Sequence, residues 1–152
     1  MTTTFIREVS IRYRGPRRKA GFDPIKSASG AAAFIRRVLP DNVREHFITL
    51  HLDGAHSVCG FYIAATGTAV SCPVAMREIF QPAIMAGAVA IICAHNHPGN
   101  SVTPSEEDRM VTTQLVNAGH LLGIPLLDHI IVTEGRHFSF NEQNVLPRVE
   151  RN

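Results

Sequence analysis

An α/β domain with a mixed central sheet is predicted for this 152-residue chain, and three observations predict it. His46 to Leu52 and Val58 to Ala64 alternate apolar and polar residues on either side of a tight turn, as the two strands of a hairpin do. Ala88 to Ala94 and Pro125 to Val132 are apolar throughout, the pattern of strands buried on both faces. Thr103 to Leu122, between those two runs, has the length and apolar period of a helix.

The elements follow in order. Phe5 to Tyr13 alternates loosely and reads as a strand, and Gly15 to Pro24 reads as loop. Ser27 caps an alanine-rich helix that runs through Leu39 and is ended by Pro40. Asp53-Gly54-Ala55-His56 forms the hairpin turn. Ala75 to Met85 is a helix with Pro82 as a kink or break. In the long helix, Thr103 stands at N-cap, Pro104 at N1 and Glu106 at N3. Its apolar side carries Met110, Val111, Leu115, Ala118 and Leu122, and Gly119 or Gly123 ends it. Thr133-Glu134-Gly135-Arg136 turns into a last strand through Phe140. The expected organisation is a basic arm over 1–26, one domain over 27–146 and a tail over 147–152, with no repeats.

Composition excludes several classes. No apolar run approaches the roughly 18 residues of a membrane span, and no signal peptide is read. Three cysteines, Cys59, Cys72 and Cys93, are too few for a disulfide framework and point to reduced thiols in a cytoplasmic setting. Cys93 lies two residues before His95 and is read as core packing before it is read as a ligand. The net charge of +2 hides an asymmetry: residues 1–44 hold ten Lys and Arg against three acids, and 45–152 hold five against ten. Arg12, Arg14, Arg17, Arg18 and Lys19 form the densest cluster. Such an arm contacts nucleic acid phosphates or is simply solvated, and Tyr13 alone is thin support for base stacking.

The chemistry concentrates in His95-Asn96-His97-Pro98, followed after six intervening residues by Ser105-x-x-Asp108. A strand puts residues i and i+2 on one face, so His95 and His97 can converge on one ion. Imidazole and carboxylate suit a borderline-soft divalent metal such as zinc. Three protein ligands leave a fourth position for water, the layout of a catalytic site. His-x-His also occurs as an ordinary surface or core pair. Ser-x-x-Asp is also a capping box, but Thr103 supplies an independent cap and leaves Ser105 and Asp108 spare, on one helical face.

The motif resembles that of the JAB/MPN (JAMM) metallopeptidase superfamily, and looks most like its RadC branch. Gly67-Thr68, Arg77-Glu78-Ile79-Phe80, Ala118-Gly119 and the run Leu121 to Val132 carry the likeness beyond the motif, over roughly residues 40 to 145. The resemblance implies a three-layer α-β-α sandwich of cytidine-deaminase-like architecture. It implies zinc held by His95, His97 and Asp108, with Ser105 assisting catalysis at the bound water or oxyanion. It implies hydrolysis of peptide or isopeptide bonds with a glutamate as general base. RadC-like sequences carry that glutamate on the second hairpin strand, five or six residues before Gly-Thr. Counting back from Gly67 lands on Tyr62 or Phe61, and no acid occurs between Asp53 and Glu78. A phenol with pKa near 10 is poorly suited to the role. The expectation is therefore a zinc site whose hydrolysis is weakened by a missing base, or one in which another acid, such as Glu78 or Glu106, has moved into its place from elsewhere in the fold. A protein-interaction or nucleic-acid-associated module is the alternative, prompted by the basic arm and by the DNA-repair label of the RadC name.

Other motifs are weaker. A zinc deaminase is disfavoured because His-x-Glu and Pro-Cys-x-x-Cys are both missing. The literal His-Asn-His does not make an HNH nuclease, whose residues are dispersed along a ββα unit. His129 follows Asp128, which either orients its ring or leaves it as a core histidine. His51, His56, His120 and His137 read as surface or turn residues.

Overall fold

The computed structural model describes residues 25–67 and 74–149. Five strands form one mixed sheet in the order β2-β1-β3-β4-β5, with β1 at His46–Leu52, β2 at Val58–Thr66, β3 at Ala90–Asn96, β4 at Leu126–Val132 and β5 at His137–Ser139. Only β3 and β4 are parallel, and the three other pairs are antiparallel. Helix α1 (Ala28–Val38) covers one face, and α2 (Met76–Met85) and α3 (Glu106–Leu122) cover the other. The result is the expected α-β-α sandwich. The basic arm lies outside the described residues, as does the strand expected over Phe5 to Tyr13.

Side-chain alternation builds the two cores. Ile48, Leu50 and Leu52 of β1 and Ile92 and Ala94 of β3 pack with Phe34 and Ile35 of α1. Phe47, Ile91 and Cys93 point the other way, into Ile79, Phe80 and Leu115 of α2 and α3. Strands β1 and β3 are buried along their whole length, so the sheet centre is the most protected part of the fold.

Local chemistry sets the helix ends. Ser27 Oγ accepts the Gly30 N–H at 3.1 Å at the start of α1. Leu39 is extended ahead of Pro40, as a residue before proline prefers. Helix α2 runs through Pro82 without ending there. Gly123 closes α3 in the left-handed conformation, φ +69°. The apolar side of α3 is shifted from the expected one. Thr112, Leu115, Val116 and Gly119 are buried, whereas Met110 is 63% exposed and Leu122 45%.

Gly119 is where α3 and the chain entering β4 touch. A Cβ there would sit 2.6 Å from the Ile124 carbonyl oxygen, which is backbone and cannot swing aside. Alanine gains about 1 kcal/mol over glycine in a helix, but overpacking of this kind costs about 1–3 kcal/mol. Gly119→Ala will lower the denaturant midpoint with an unchanged slope, and a raised midpoint would refute the close-contact reading.

Candidate metal centre

His95 is in β3, and His97 follows its end. The His97 N–H still bonds the Val132 carbonyl at 3.0 Å, so strand geometry continues and both rings project from one face. That face is the one covered by α3, whose first turn delivers Asp108. His95 Nε2 lies 3.0 Å from Asp108 Oδ1, and His97 Nε2 lies 3.6 Å from Asp108 Oδ2. The two Nε2 atoms are 3.0 Å apart. The structure thus brings together the three residues singled out as ligands.

It also brings a fourth. One donor atom from each of Glu45, His95, His97 and Asp108 falls within 4.8 Å of the others. Glu45 immediately precedes β1. Phe47 pairs with His95, so Glu45, two residues earlier, lies on the same face at the level of His97. A second carboxylate thus stands beside Asp108, as expected if another acid reaches the site from elsewhere in the fold. The acid comes from the start of the first hairpin strand, not from the second. Neither Glu78 nor Glu106 belongs to the cluster. Phe61 and Tyr62 pair with Leu50 and Thr49, deep along β1, and Phe61 packs edge-on against Phe34 on the α1 side.

Asn96, between the two histidines, is fully buried and explains how Glu45 is held. Its Oδ1 accepts the His46 N–H at 2.8 Å, and its Nδ2 donates to the Arg44 carbonyl at 2.8 Å and to Asn42 Oδ1 at 3.2 Å. The amide therefore grips the backbone on both sides of Glu45. The Glu45 carbonyl accepts from the Gly67 N–H at 2.9 Å.

The start of α3 differs from expectation. Ser105, not Thr103, is the N-cap. Ser105 Oγ accepts the Asp108 N–H at 3.1 Å, and Asp108 Oδ2 accepts the Ser105 N–H at 2.7 Å. Ser105 and Asp108 are thus the capping box itself, not residues left over from one. The physical reason is that a carboxylate has two oxygens. Oδ2 closes the box while Oδ1 faces His95, and the cap fixes the rotamer that the cluster needs.

Electrostatics favour positive charge at this point. Burial works against the Asp108 charge, but hydrogen bonds from His95 and His97 hold its carboxyl well below the usual carboxylate range. The Asp108 hydrogen bond raises the affinity of His97 for a proton. His97 Nδ1 lies 2.8 Å from the Ser101 carbonyl, which can only accept, so Nδ1 carries a proton and Nε2 of the neutral ring is a free lone pair. Tetrahedral ligands about 2.1 Å from zinc stand about 3.4 Å apart, and the separations here run from 3.0 to 3.6 Å when His95 is taken with Asp108 Oδ1 and His97 with Oδ2. Imidazole donors suit zinc better than calcium or magnesium. The residues fit such an ion.

Behind His95 lies a second layer. His95 Nδ1 is 2.9 Å from His129 Nε2, and His129 Nδ1 is 2.6 Å from Thr112 Oγ1. Phe47 stacks on His95 and Phe140 on His129. Burial and the neighbouring His95 lower the proton affinity of His129. Asp128 does not orient His129. Leu127 is passed over in the β3–β4 pairing, which sets Asp128 against Ile92 and His129 against Cys93, on opposite faces. Asp128 accepts from Ser139 Oγ at 2.6 Å and from the Asn141 N–H at 3.0 Å instead. The Cys93 thiol is buried in the core, away from ligand duty, and burial pushes it up.

Sequence comparison agrees with this geometry. A family model of RadC-like JAB domains matches residues 25–145. The UPF0758 protein of Moorella thermoacetica is 47% identical over 103 residues, which is 68% of this chain and 45% of that protein. The UPF0758 protein of Rubrobacter xylanophilus is 40% identical over 129 residues, 85% of this chain and 56% of that protein. That of Trichlorobacter lovleyi is 42% identical over 113 residues, 74% of this chain and 49% of that protein. The chain spans about half the length of these relatives.

Proposed function

The chain belongs to the RadC-like JAB domain family, and from that premise we propose that it is a zinc-dependent hydrolase of peptide or isopeptide bonds. The observation that carries this reading is the convergence of the Glu45 carboxylate on the His95, His97 and Asp108 cluster. His95, His97 and Asp108 hold the ion. A bound zinc lowers the pKa of a water to about 7 and polarises a carbonyl. Glu45 takes a proton at its carboxylate from the attacking water and returns it to the leaving nitrogen. Ser105 holds the Asp108 N–H through its lone pair, which leaves its hydroxyl proton for a developing oxyanion. The Glu45 carboxylate supports a catalytic over a non-catalytic reading of the cluster. No helix among the described residues is long and apolar enough to cross a membrane. The unpaired thiols Cys59 and Cys93 suit a reducing, cytoplasmic setting.

The test is metal analysis joined to cleavage. The purified chain will carry one zinc, and the His95→Ala/His97→Ala pair will carry none. Cleavage of a panel of linear and lysine-isopeptide-linked peptides will stop on chelation and return with zinc. Stoichiometric zinc in the double variant, or cleavage that survives chelation, would overturn the assignment.

A further inference from the structure

The chain of contacts behind His95 has a direction, and the direction follows from one group that can only accept. Thr112 Oγ1 lies 2.5 Å from the Asp108 carbonyl oxygen, one helical turn back. A carbonyl has no proton to give, so the Thr112 hydroxyl donates to it. Its lone pair then faces His129 Nδ1 at 2.6 Å, and that nitrogen must carry the proton. His129 is fully buried between the rings of Phe47 and Phe140, with no carboxylate at either nitrogen, so it is neutral. A neutral ring protonated at Nδ1 has a bare Nε2. That atom accepts from His95 Nδ1 at 2.9 Å. With Nδ1 so committed, Nε2 is the nitrogen of His95 left to face Asp108 and His97, where an ion would take its lone pair in place of a proton.

We propose that Thr112 and His129 are positioning residues that fix the tautomer of His95, so that Asp108 supplies a carboxylate to the metal cluster and, through its own backbone carbonyl, selects the nitrogen of His95 that faces it. This rests on the metal-site reading above. The relay starts at the Asp108 backbone and returns to the Asp108 side chain. The second metal-facing imidazole is set independently, by the Ser101 carbonyl. Valine at position 112 would keep the shape and remove the hydroxyl. His129 could then take its proton on Nε2 and donate to His95 Nδ1. His95 would turn an N–H toward the ion in place of a lone pair.

The test uses the full chain with zinc alone as the probe. Zinc affinity is measured by chelator competition in wild type, Thr112→Val, Thr112→Ser and His129→Gln. Imidazole ¹⁵N shifts of the metal-free protein report which nitrogen of His129 is protonated. Wild type will show His129 protonated at Nδ1. Thr112→Val will mix the tautomers and weaken zinc by about 10- to 100-fold, the usual effect of a lost supporting hydrogen bond. Thr112→Ser will restore both readouts. In a His95→Ala background, Thr112→Val will cost nothing further. Unchanged affinity and tautomer in Thr112→Val overturns the proposal, as does an equal loss in the His95→Ala background. Should His129→Gln fail to fold, the Thr112 variants still decide. A wild type that binds no zinc sinks the metal reading, while the metal-free tautomer still decides the relay.

Discussion

Glu45→Gln will lower amide hydrolysis by about a hundred- to ten-thousand-fold, the range spanned by a lost general acid–base group, with zinc content unchanged. Glutamine keeps the shape and the backbone clamp around Arg44 and His46. It removes only the capacity to accept and return a proton. Placing a carboxylate on the second hairpin strand, as Tyr62→Glu, will not substitute for it. Tyr62 is paired with Thr49, four residues along β1 from Glu45 and roughly 13 Å away at the rise of a strand. Hydrolysis by Glu45→Gln within a factor of a few of wild type would remove Glu45 from the reaction. Rescue of that variant by Tyr62→Glu would return the base to the second hairpin strand.

Asp108 and Ser105 separate in the second prediction. Asp108→Asn keeps an oxygen that can accept the Ser105 N–H but loses the charge that draws the ion. Zinc affinity will fall by more than the roughly hundredfold that a lost supporting contact costs, with little change in thermal midpoint. Ser105→Ala removes the cap and will cost about 1 kcal/mol of stability, with zinc retained at one per chain. Competition with a chelator and a melting curve on each variant read the two effects. Full zinc affinity in Asp108→Asn would mean that the carboxylate serves the helix alone.

Much of this was legible in the residues because the signals are local. The alternation of His46 to Leu52 and the apolar run before His95 gave β1 and β3 their faces. The spacing of His95 and His97 put both rings on one of them. What was missed depends on which strand lies beside which. Glu45 reaches the site because β1 pairs antiparallel with β3, and Phe47 against His95 is a contact 48 residues apart in the chain. The resemblance directed attention to the second strand of the hairpin, and the acid stood at the start of the first. Adjacency leaves open whether Asp128 orients the His129 ring, but neighbours in a strand face opposite ways, and the skipped Leu127 settles which way. The helix start was misplaced by two residues, since Thr103-Pro104 is also a good cap by composition. Only the reach of the Asp108 side chain back to the Ser105 N–H decides between them.

Opening of the site is uneven, because Asn96 welds the backbone around Glu45 to the end of β3. That seam lies in the middle of the sheet, where amide exchange requires the whole fold to open. The His46 and His97 amides, bonded to Asn96 Oδ1 and to the Val132 carbonyl, will therefore exchange more slowly than those of the first turn of α3. Asp108 sits at the third residue of α3, in a turn that frays at little cost. An ion held across that boundary lends the first turn of the helix the protection of the sheet, and withdrawing the ion gives the turn back its own faster exchange.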